Sequence, residues 1–477
     1  MEDASSERKS QAKVGQRYYD GEHDILNYRL FYYDAEGELQ EDKTRSNIKI
    51  SHPFFTELVD QQAQYMLNGE TFVKSDIPEL QIELDKVFND DFTSELTETI
   101  TSTVTKGFGY MYCYKNSANN FKFENADAMG VVEVRAKDTD DNCEYVIYWY
   151  IDKNTKANKK VKRIQVWDKE KIYFYMQSDD GAIVEDDTED INPRPHIIYR
   201  NTNDDESLYY DTLGFIPFFR LDNNRKQQSG LKPIKALIDD YDLMACGLSN
   251  NIQDSAEAYF VVSGFQGDNL DELITNIKTK KHIGVDVGGG VDVKTVEIPY
   301  QARATKLALD ETNIYRFGMG FNSAQIGDGN ITNVVIKSRY ALLDLKCDKL
   351  EKNLKKFLRE MIQVVLNDIN DRNGTDYQQK DVYFDFEREV ITNASDNASI
   401  KKVEADTKAV EINLLMGLAQ VLPQENVIQM ICDELDIDYN EIKDKLPTNE
   451  AQESYDAMGV LNNEPPTKAS PTVTTQQ

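Results

Sequence analysis

The sequence predicts an α+β protein that is mainly helical, and three observations lead to this prediction. Short segments rich in Tyr, Val, Ile and Trp follow one another between residues 107 and 177, as the strands of an antiparallel sheet do. Long runs on either side carry apolar residues at steps of three and four, which is typical of helices. The chain has 477 residues, 40% of them hydrophobic, so two or three domains can bury a core.

Composition excludes several classes of protein. The chain carries 84 Asp and Glu against 54 Lys and Arg, a formal net charge of −30 that opposes general affinity for phosphate backbones. Its five cysteines are scattered without CxxC spacing, so neither a disulfide framework nor a zinc site is indicated. No secretion signal is recognisable, and no apolar run approaches the ~20 residues of a membrane helix. We therefore expect a soluble protein.

The first part of the chain contains both kinds of pattern. Residues 1–15 are charged, and we interpret them as a flexible N-terminus. Helical spacing predicts one helix from Phe54 to Asn68 and a second from Phe88 to Val104. From Gly107 onward short apolar segments alternate with polar turns, which predicts an antiparallel meander.

A long helix with an insert is predicted next. The helix begins at Pro233, which suits a first helical turn, and its apolar residues share one face as far as Tyr259. About 26 residues at 1.5 Å each would span about 39 Å. The insert, Phe260 to Ile298, contains "GVDVGGGVDV", which predicts a hairpin with glycines at its turn. Helix returns after Pro299 and runs to about Phe321.

The remaining sequence predicts a loop, a very long helix and a helical end. "GDGNITNVVIKSRY", Gly327 to Tyr340, passes from small residues directly into a helix whose a/d positions run from Ile336 to Val364. These a/d positions form an apolar seam. The seam packs either within the assembly or in a separate coiled coil. Three amphipathic helices are predicted from Ile400 to Leu446, and residues 451–477 read as a flexible tail.

Searches for catalytic motifs give weak candidates. Neither glycine run has the GxxxxGK[ST] spacing of a nucleotide loop, so both are interpreted as turns. The pair His23 and Asp24 resembles metal ligands of some phosphohydrolases, but further histidines in a suitable context are missing. The acidic groups at 239–242 and 385–389 could hold metal ions in a nuclease; we interpret them as solvated faces.

One segment departs from the acidic average. Between Lys337 and Arg359 the chain has eight basic and three acidic residues. This segment is either a solvated helix face, a partner for an acidic neighbour, or a site of brief DNA contact at Lys337. The first two interpretations rank above the third.

Three stretches together resemble the portal proteins, or head-to-tail connectors, of tailed double-stranded DNA bacteriophages, in particular those of phages of Gram-positive bacteria. They are "YYDGEHDI", "LVDQQAQYMLNGE" and "GFIPFFRLDNNRKQQSGLKPIKALIDDYDLMACGLSN", which start at Tyr18, Leu58 and Gly214. The loop is similar too: the family pattern has a glycine and asparagine before Ser-Gly and a lysine, and Thr332 and Asn333 replace that Ser-Gly here.

The resemblance implies a fold with named regions, assembled as a ring of about twelve copies around a tunnel. The α+β wing would comprise residues 16–225 and 338–395, and the clip residues 260–299. The stem helices would be 226–259 and 300–317, the tunnel loop 318–337 and the helical crown 396–450. Residues 1–15 and 451–477 would be flexible ends.

The resemblance also implies sites. Tunnel-loop residues facing DNA would be Asn322, Gly327, Asp328, Gly329, Asn330, Ile331, Thr332, Asn333 and Lys337. Stem positions would be Ile234, Ile238, Asp239, Asp240, Tyr241 and Asp242. The clip would dock partners around Asp286, Gly288, Gly289, Gly290 and Asp292. No catalytic residue, metal or cofactor is implied.

As a portal, the chain would be a conduit for packaging and ejecting DNA at one capsid vertex. Its partners would be its own copies, double-stranded DNA, the terminase large subunit, a head-tail adaptor, and the major capsid and scaffolding proteins, with no membrane involved. It would assemble in the bacterial cytoplasm and reside in the virion. The alternative is a metal-dependent nucleic-acid enzyme, a nuclease or phosphohydrolase acting in packaging.

Overall fold

A computed structural model provides the structure of the chain. It describes residues 6–67, 72–116, 119–136, 143–152, 161–178, 180–200, 208–255, 259–265, 269–275, 283–294, 299–322, 333–386, 388, 402, 407–417 and 424–434. The chain divides into two compact units. The first comprises residues 1–330 and 334–391, and the second comprises residues 331–333 and 392–477.

Four helices open the first unit: α1 (Glu7–Tyr19), α2 (Phe54–Met66), α3 (Pro78–Val87) and α4 (Asp90–Lys106). The side chains of Ser6 and Asn89 accept backbone hydrogen bonds at the starts of α1 and α4, as N-caps do. The interpretation of residues 1–15 as flexible is wrong from Glu7 onward. Ala12 is fully buried, and the Lys9 ammonium donates to the carbonyls of Met129 and Val131 at 3.0 and 2.8 Å.

Two sheets follow, and the predicted meander is confirmed. Five consecutive antiparallel strands form most of the larger sheet: β6 (Val131–Val134), β7 (Tyr145–Asp152), β8 (Val161–Trp167), β9 (Lys171–Gln177) and β10 (Ile183–Glu185), with β11 (Arg194–Pro195) also on β9. A smaller sheet joins β14 (Phe218–Asp222), β4 (Phe108–Lys115) and β5 (Phe121–Ala126). The remaining pairs are β1 (Phe31–Tyr33) with β2 (Leu39–Glu41), β3 (Val73–Lys74) with β17 (Tyr383–Phe384), and β12 (Ile197–Arg200) with β13 (Leu208–Asp211).

The helix–insert–helix arrangement is present with different bounds. Helix α5 (Lys235–Ser255) ends before Tyr259, which begins strand β15 (Tyr259–Phe265). At 1.5 Å per residue its 21 residues span about 32 Å. Helix α6 (Leu270–Thr275) and strand β16 (Val285–Lys294) lie in the insert, and α7 (Tyr300–Gly318) returns and packs on α5.

The predicted glycine-centred hairpin is wrong. Residues 285–294 are one strand that pairs antiparallel with β15. The register shifts where Ser263 faces Gly290 and Phe265 faces Val285, so the extra residues form a bulge within β16. Gly288, at φ 94°, supplies the backbone angle that the bulge requires. Repeated Val-bearing arms resemble a hairpin in sequence, but here the second arm and Val285 of the first arm pair with β15, not with each other.

Helix α8 (Asn333–Asn373) carries the predicted seam into the core of its own chain. It has 41 residues, about 62 Å at 1.5 Å each. Leu343, Cys347, Leu350, Leu354, Phe357 and Met361 are all at most 2% exposed. They pack in one core with α2, α4 and the smaller sheet. The interpretation as packing within the assembly is thus confirmed for this face.

The second unit contains two described helices, α9 (407–417) and α10 (Gln424–Glu434). The other predicted crown residues and the tail at 451–477 lie outside the described residues. No helix in the described ranges combines the length and apolarity needed to cross a bilayer.

Candidate functional site

The end of α7 lies directly against α2. Met319 adopts a left-handed conformation, φ 55°, and the Gly320 amide donates back to the Tyr315 carbonyl at 3.0 Å. A Cβ on Gly318 would lie 2.6 Å from Cδ1 of Leu58, and one on Gly320 would overlap its Cδ2. Only glycine lets the backbone come this close. The position of α7's last turn is therefore set by a side chain of α2.

The next residue is held by a side-chain amide. Gln61 of α2 donates from Nε2 to the Phe321 carbonyl at 2.8 Å and accepts from the Phe321 amide at 3.0 Å. Asn322 is 9% exposed and donates from Nδ2 to Glu311 Oε1 at 2.9 Å. Gln61 alone thus pairs with both the carbonyl and the amide of Phe321. These two hydrogen bonds fix the chain just before residue 323.

The chain is fixed again where it returns. The Phe321 ring stacks on Tyr340 of α8, with centroids 4.5 Å apart and planes 17° apart. Tyr340 also contacts Tyr65 of α2 at 5.6 Å, and the Tyr65 hydroxyl donates to Asp344 at 2.9 Å. We call Leu58, Gln61, Tyr65, Phe321 and Tyr340 the loop base. It anchors both flanks of the segment 323–332 on one helix.

The predicted loop residues divide between this base and the segment beyond it. Asn322 directly follows Phe321 of the base, and its side chain is buried. Gly327, Asp328, Gly329, Asn330, Ile331 and Thr332 lie outside the described residues. Asn333 begins α8, and Lys337 is exposed on its second turn. Sequence patterns missed Gln61, which is one of several polar residues on α2 without a local motif.

The predicted stem residues do not form a solvated acidic face. Asp242 is fully buried; its two oxygens accept from Nδ1 of His23 at 2.6 Å and Nδ1 of His52 at 2.7 Å. The His52 backbone amide also donates to Asp242 at 3.0 Å. Burial opposes its ionised form, but the hydrogen bonds from His23 and His52 outweigh burial and lower the pKa of Asp242. The solvated-face interpretation is therefore wrong at this position.

Asp239 and Asp240, the acids next to Asp242, have other partners. Asp239 accepts from the Tyr18 hydroxyl and from Lys235 Nζ, the latter at 2.7 Å. Asp240 pairs with Lys306 of α7, which also contacts Asp310. Ile234 and Ile238 are buried, whereas Tyr241 packs edge-on against the rings of His52 and Phe54. The residues predicted for the stem thus connect α5 to α1, to α7 and to the segment around His52 and Phe54.

The pair His23 and Asp24 serves two different networks. His23 is fully buried and stacked on Tyr18 with centroids 4.5 Å apart, whereas Asp24 accepts from Arg17 at 2.8 Å and Lys235 at 2.6 Å. Within the described ranges no group of three or more His, Cys, Asp or Glu side chains is arranged for a metal ion. The motif instead fastens the end of α1 to the start of α5.

Asp24 makes a pH-dependent contribution to the stability of the fold. Burial alone opposes its ionisation, but the hydrogen bonds from Lys235 and Arg17 outweigh it and lower the pKa of Asp24 from 3.8 to about 2. A lowered folded-state pKa means that the carboxylate stabilises the fold above pH 3.8 and loses this effect as pH falls to about 2.

We expect the stability difference between the natural chain and Asp24→Asn to be constant at neutral pH and to shrink between pH 3.8 and about 2. Urea unfolding of both chains at a series of pH values measures this difference. Subtracting the two curves removes the titration of the other carboxylates. A difference that stays constant through this window would contradict the assigned ion pairs.

Of the acidic group at 385–389, Asp385 lies within the described residues and Glu387 and Glu389 lie outside them. Asp385 pairs with Lys74 at 2.5 Å. Arg388 contacts all three acids of the basic segment: Asp344 at 3.4 Å, Asp348 at 2.7 Å, and Glu351. Lys349, Lys352, Lys356 and Arg359 are exposed along α8. Arg388 thus contacts all three acids of the segment, Lys355 also pairs with Glu351 at 2.7 Å, and Lys346 and Lys355 are only partly exposed.

The residues predicted for the clip lie on the bulged strand β16. Asp286, Gly288, Gly290 and Asp292 are exposed, and Gly289 packs beneath the Ser263 carbonyl of β15. Val287 is fully exposed, and Val261 and Val291 are 48% and 40% exposed. This two-stranded sheet presents apolar and acidic side chains together.

Comparison with known sequences decides the family. The family model described as "Phage portal protein, SPP1 Gp6-like" matches residues 1–431. The chain belongs to this portal family. It is 28% identical over 346 residues to the portal protein of Bacillus phage SPP1, covering 72% of this chain and 67% of that protein. It is 23% identical over 418 residues to the portal protein of Clostridium phage phiCD119, covering 83% and 86%.

Membership confirms the resemblance found in the sequence. Both portal relatives come from phages of Gram-positive bacteria. Phage portal proteins are structural components of the virion capsid, and the family implies a homo-oligomeric assembly. The alternative of a metal-dependent nucleic-acid enzyme has no support in these matches.

Proposed function

We propose that about twelve copies of this chain form a ring at one capsid vertex, through which double-stranded DNA is packaged and ejected. The observation that carries the proposal is the portal-family match over residues 1–431. The paired helices α5 and α7, the bulged sheet between them and the loop base support the assignment of stem, clip and tunnel loop. The wing would contain both sheets and α8, and the crown α9 and α10.

In this proposal DNA passes through without being held. Every copy brings a net charge of −30, and an acidic wall within a Debye length of about 8 Å repels the phosphate backbone. The tunnel loop, residues 318–337, makes the light contacts, and its anchored base keeps those contacts at a defined height in the ring. ATP hydrolysis belongs to a separate motor protein.

The clip is the proposed docking surface for partners. The exposed strand edges and valines of β15 and β16, with Asp286 and Asp292 beside them, suit main-chain and apolar contacts. The terminase large subunit would dock there during packaging and a head-tail adaptor afterwards. The wing and crown would face the major capsid and scaffolding proteins. Assembly would take place in the host cytoplasm.

Electron microscopy of negatively stained, purified protein, together with native mass, tests the ring. We expect particles of about a dozen subunits with a central hole. A monodisperse monomer or dimer over a range of salt and protein concentrations would overturn the proposal.

Lys337→Ala tests the DNA contact. Lys337 is exposed near the start of α8, next to the proposed loop, and removing one phosphate contact weakens DNA binding without touching the ring. We expect rings of normal size but reduced packaging or retention of DNA in a packaging assay. Lys380→Ala, which changes an exposed lysine beyond the far end of α8, is the control for charge alone. Equal packaging by the natural chain and Lys337→Ala would remove this residue from the proposed contacts.

A further inference from the structure

The hairpin β1–β2 projects from the fold with an uncovered apolar face. Among the described strands, β1 and β2 pair only with each other. Phe31 lies opposite Glu41 and Tyr33 opposite Leu39, so Phe31, Tyr33 and Leu39 share one side of the hairpin. Their exposed fractions are 50%, 74% and 57%. A two-stranded hairpin is marginally stable by itself in water, and this one offers an apolar face for a partner to cover.

The same hairpin is acidic and has a fixed base. From Phe31 to Asp42 the chain has five carboxylates and no cation, and Glu36 and Glu38 are exposed at the tip. At the base, the Ile48 amide donates to Asn250 of α5 at 2.6 Å and the Ser46 amide to Asp254 at 3.2 Å. We call residues 31–42 the arm. It is an apolar and acidic projection carried on the stem helix.

A cleft elsewhere in the first unit has the complementary chemistry. It has a volume of about 770 Å³ and lies between β14, the start of β7 and helix α8. Phe215, Ile216 and Phe218 form an apolar part of its wall. Its charged lining has four cations, Lys169, Lys356, Arg135 and Arg220, against three acids, Glu133, Asp222 and Glu360. Arg135 and Arg220 both contact Glu133, and Arg220 also contacts Asp222. The two arginines are thus paired within the cleft, and its apolar wall, with Lys356 on α8 beside it, can accept aromatic side chains that carry a carboxylate next to them.

The cationic side of the cleft continues along α8. Lys349, Lys352, Lys356 and Arg359 are separated by three, four and three residues and are all exposed, so they form one stripe on the helix surface. On a chain of net charge −30, such a stripe is a local exception. Its placement beside an aromatic wall matches the arm in both charge and polarity.

We propose that the arm of one copy enters this cleft on the next copy and packs along the basic stripe. The inference rests on the proposed ring, because a heterologous interface that closes into a ring joins two different surfaces of the same chain. Phe31, Tyr33 and Leu39 would lie on the aromatic wall, and Glu36 and Glu38 would face Lys352 and Lys356. Each copy then gives one arm and receives one.

Charge reversal on each side, alone and combined, tests the pairing. The variants are Glu36→Lys with Glu38→Lys in the arm, Lys352→Glu with Lys356→Glu on the stripe, and all four together. Mass photometry across a concentration series measures ring formation by the full chain. We expect each double variant to need about tenfold more protein, or more, to form rings, because like charges across an interface cost several kcal/mol. The fourfold variant restores rings near the natural concentration.

A matched control separates this effect from net charge. Glu185→Lys with Asp187→Lys changes two exposed acids with the same spacing as Glu36 and Glu38, at the edge strand β10. Rings of this variant should form as the natural chain does. Circular dichroism checks that all variants are folded, so that loss of rings is not loss of structure.

The outcomes distinguish a failure of the proposed ring from a failure of the proposed interface. If the natural chain forms no rings, the proposed function fails. If the natural chain forms rings and either double variant forms them equally well, the arm or the stripe is not at the interface and this inference is overturned. If both double variants lose rings and the fourfold variant does not recover them, the arm and the stripe contact other surfaces and not each other. That result also overturns the inference. Recovery supports the pairing.

Discussion

Asp242→Ala is expected to lower the free energy of unfolding by about 3–5 kcal/mol. The carboxylate is fully buried and accepts from both His23 and His52, as well as from the His52 backbone amide. Removing it leaves the fully buried His23 donor without its acceptor and takes the acceptor of the partly exposed His52 as well. The desolvation penalty of the buried donor exceeds the net value of a single hydrogen bond. Urea unfolding of the full chain, followed by near-ultraviolet circular dichroism, measures the loss.

Asp240→Ala is the matched control for that substitution. Asp240 is on the same helix, two residues away, and its ion pair with Lys306 is partly exposed, at 39% and 38% for the two side chains. Surface pairs of this kind contribute at most about 1 kcal/mol. Equal losses for the two alanine variants would show that the histidine contacts of Asp242 do not carry the stability assigned to them.

Gly320→Ala is expected to destabilise the loop base by about 1–3 kcal/mol, the range for overpacked cores. The new methyl group would overlap Cδ2 of Leu58, a side chain that is itself 1% exposed in the core. Either Leu58 leaves its position or the last turn of α7 moves away from α2. Movement of α7 would break the two hydrogen bonds between Gln61 and Phe321. We expect a lower thermal midpoint and, in rings, reduced DNA packaging.

A compensating substitution makes this prediction specific. Leu58→Val removes both δ-carbons, including Cδ2, the atom nearest to the new methyl group, so Gly320→Ala with Leu58→Val should recover most of the midpoint and the packaging. Gly417→Ala, where nothing lies within 4 Å of the added carbon, is the control for glycine replacement. A double variant that is no better than Gly320→Ala would contradict the proposed overlap.

Patterns that depend on one element were readable from sequence. The a/d seam of α8 predicted its buried residues because positions three and four apart lie on the same side of a helix. The meander was predicted because each strand pairs with the next in sequence. The bulged strand β16 shows the limit of this reasoning. Its repeat was consistent with two arms pairing together, and only the presence of β15 decided otherwise.

Charge patterns were less informative than apolar ones. Asp239, Asp240 and Asp242 look alike in sequence, yet one is fully buried and the other two are in partly exposed pairs. The difference arises from His23 and His52, which are about 200 residues away in sequence. A net charge of −30 predicts solvated carboxylates in general. It does not indicate that Asp242 is buried.

By itself, the sequence determined the α+β class, the helix–insert–helix order, the seam of α8 and, through three recognisable stretches, the portal family. These follow from local spacing and from similarity, neither of which requires knowing distant neighbours. Tertiary structure alone decided the loop base, the buried Asp242, and the separate positions of the exposed arm and the cleft. Each depends on residues far apart in the chain, such as Gln61 and Phe321 at 2.8 Å, and long-range contacts arise only when packing brings separate elements together.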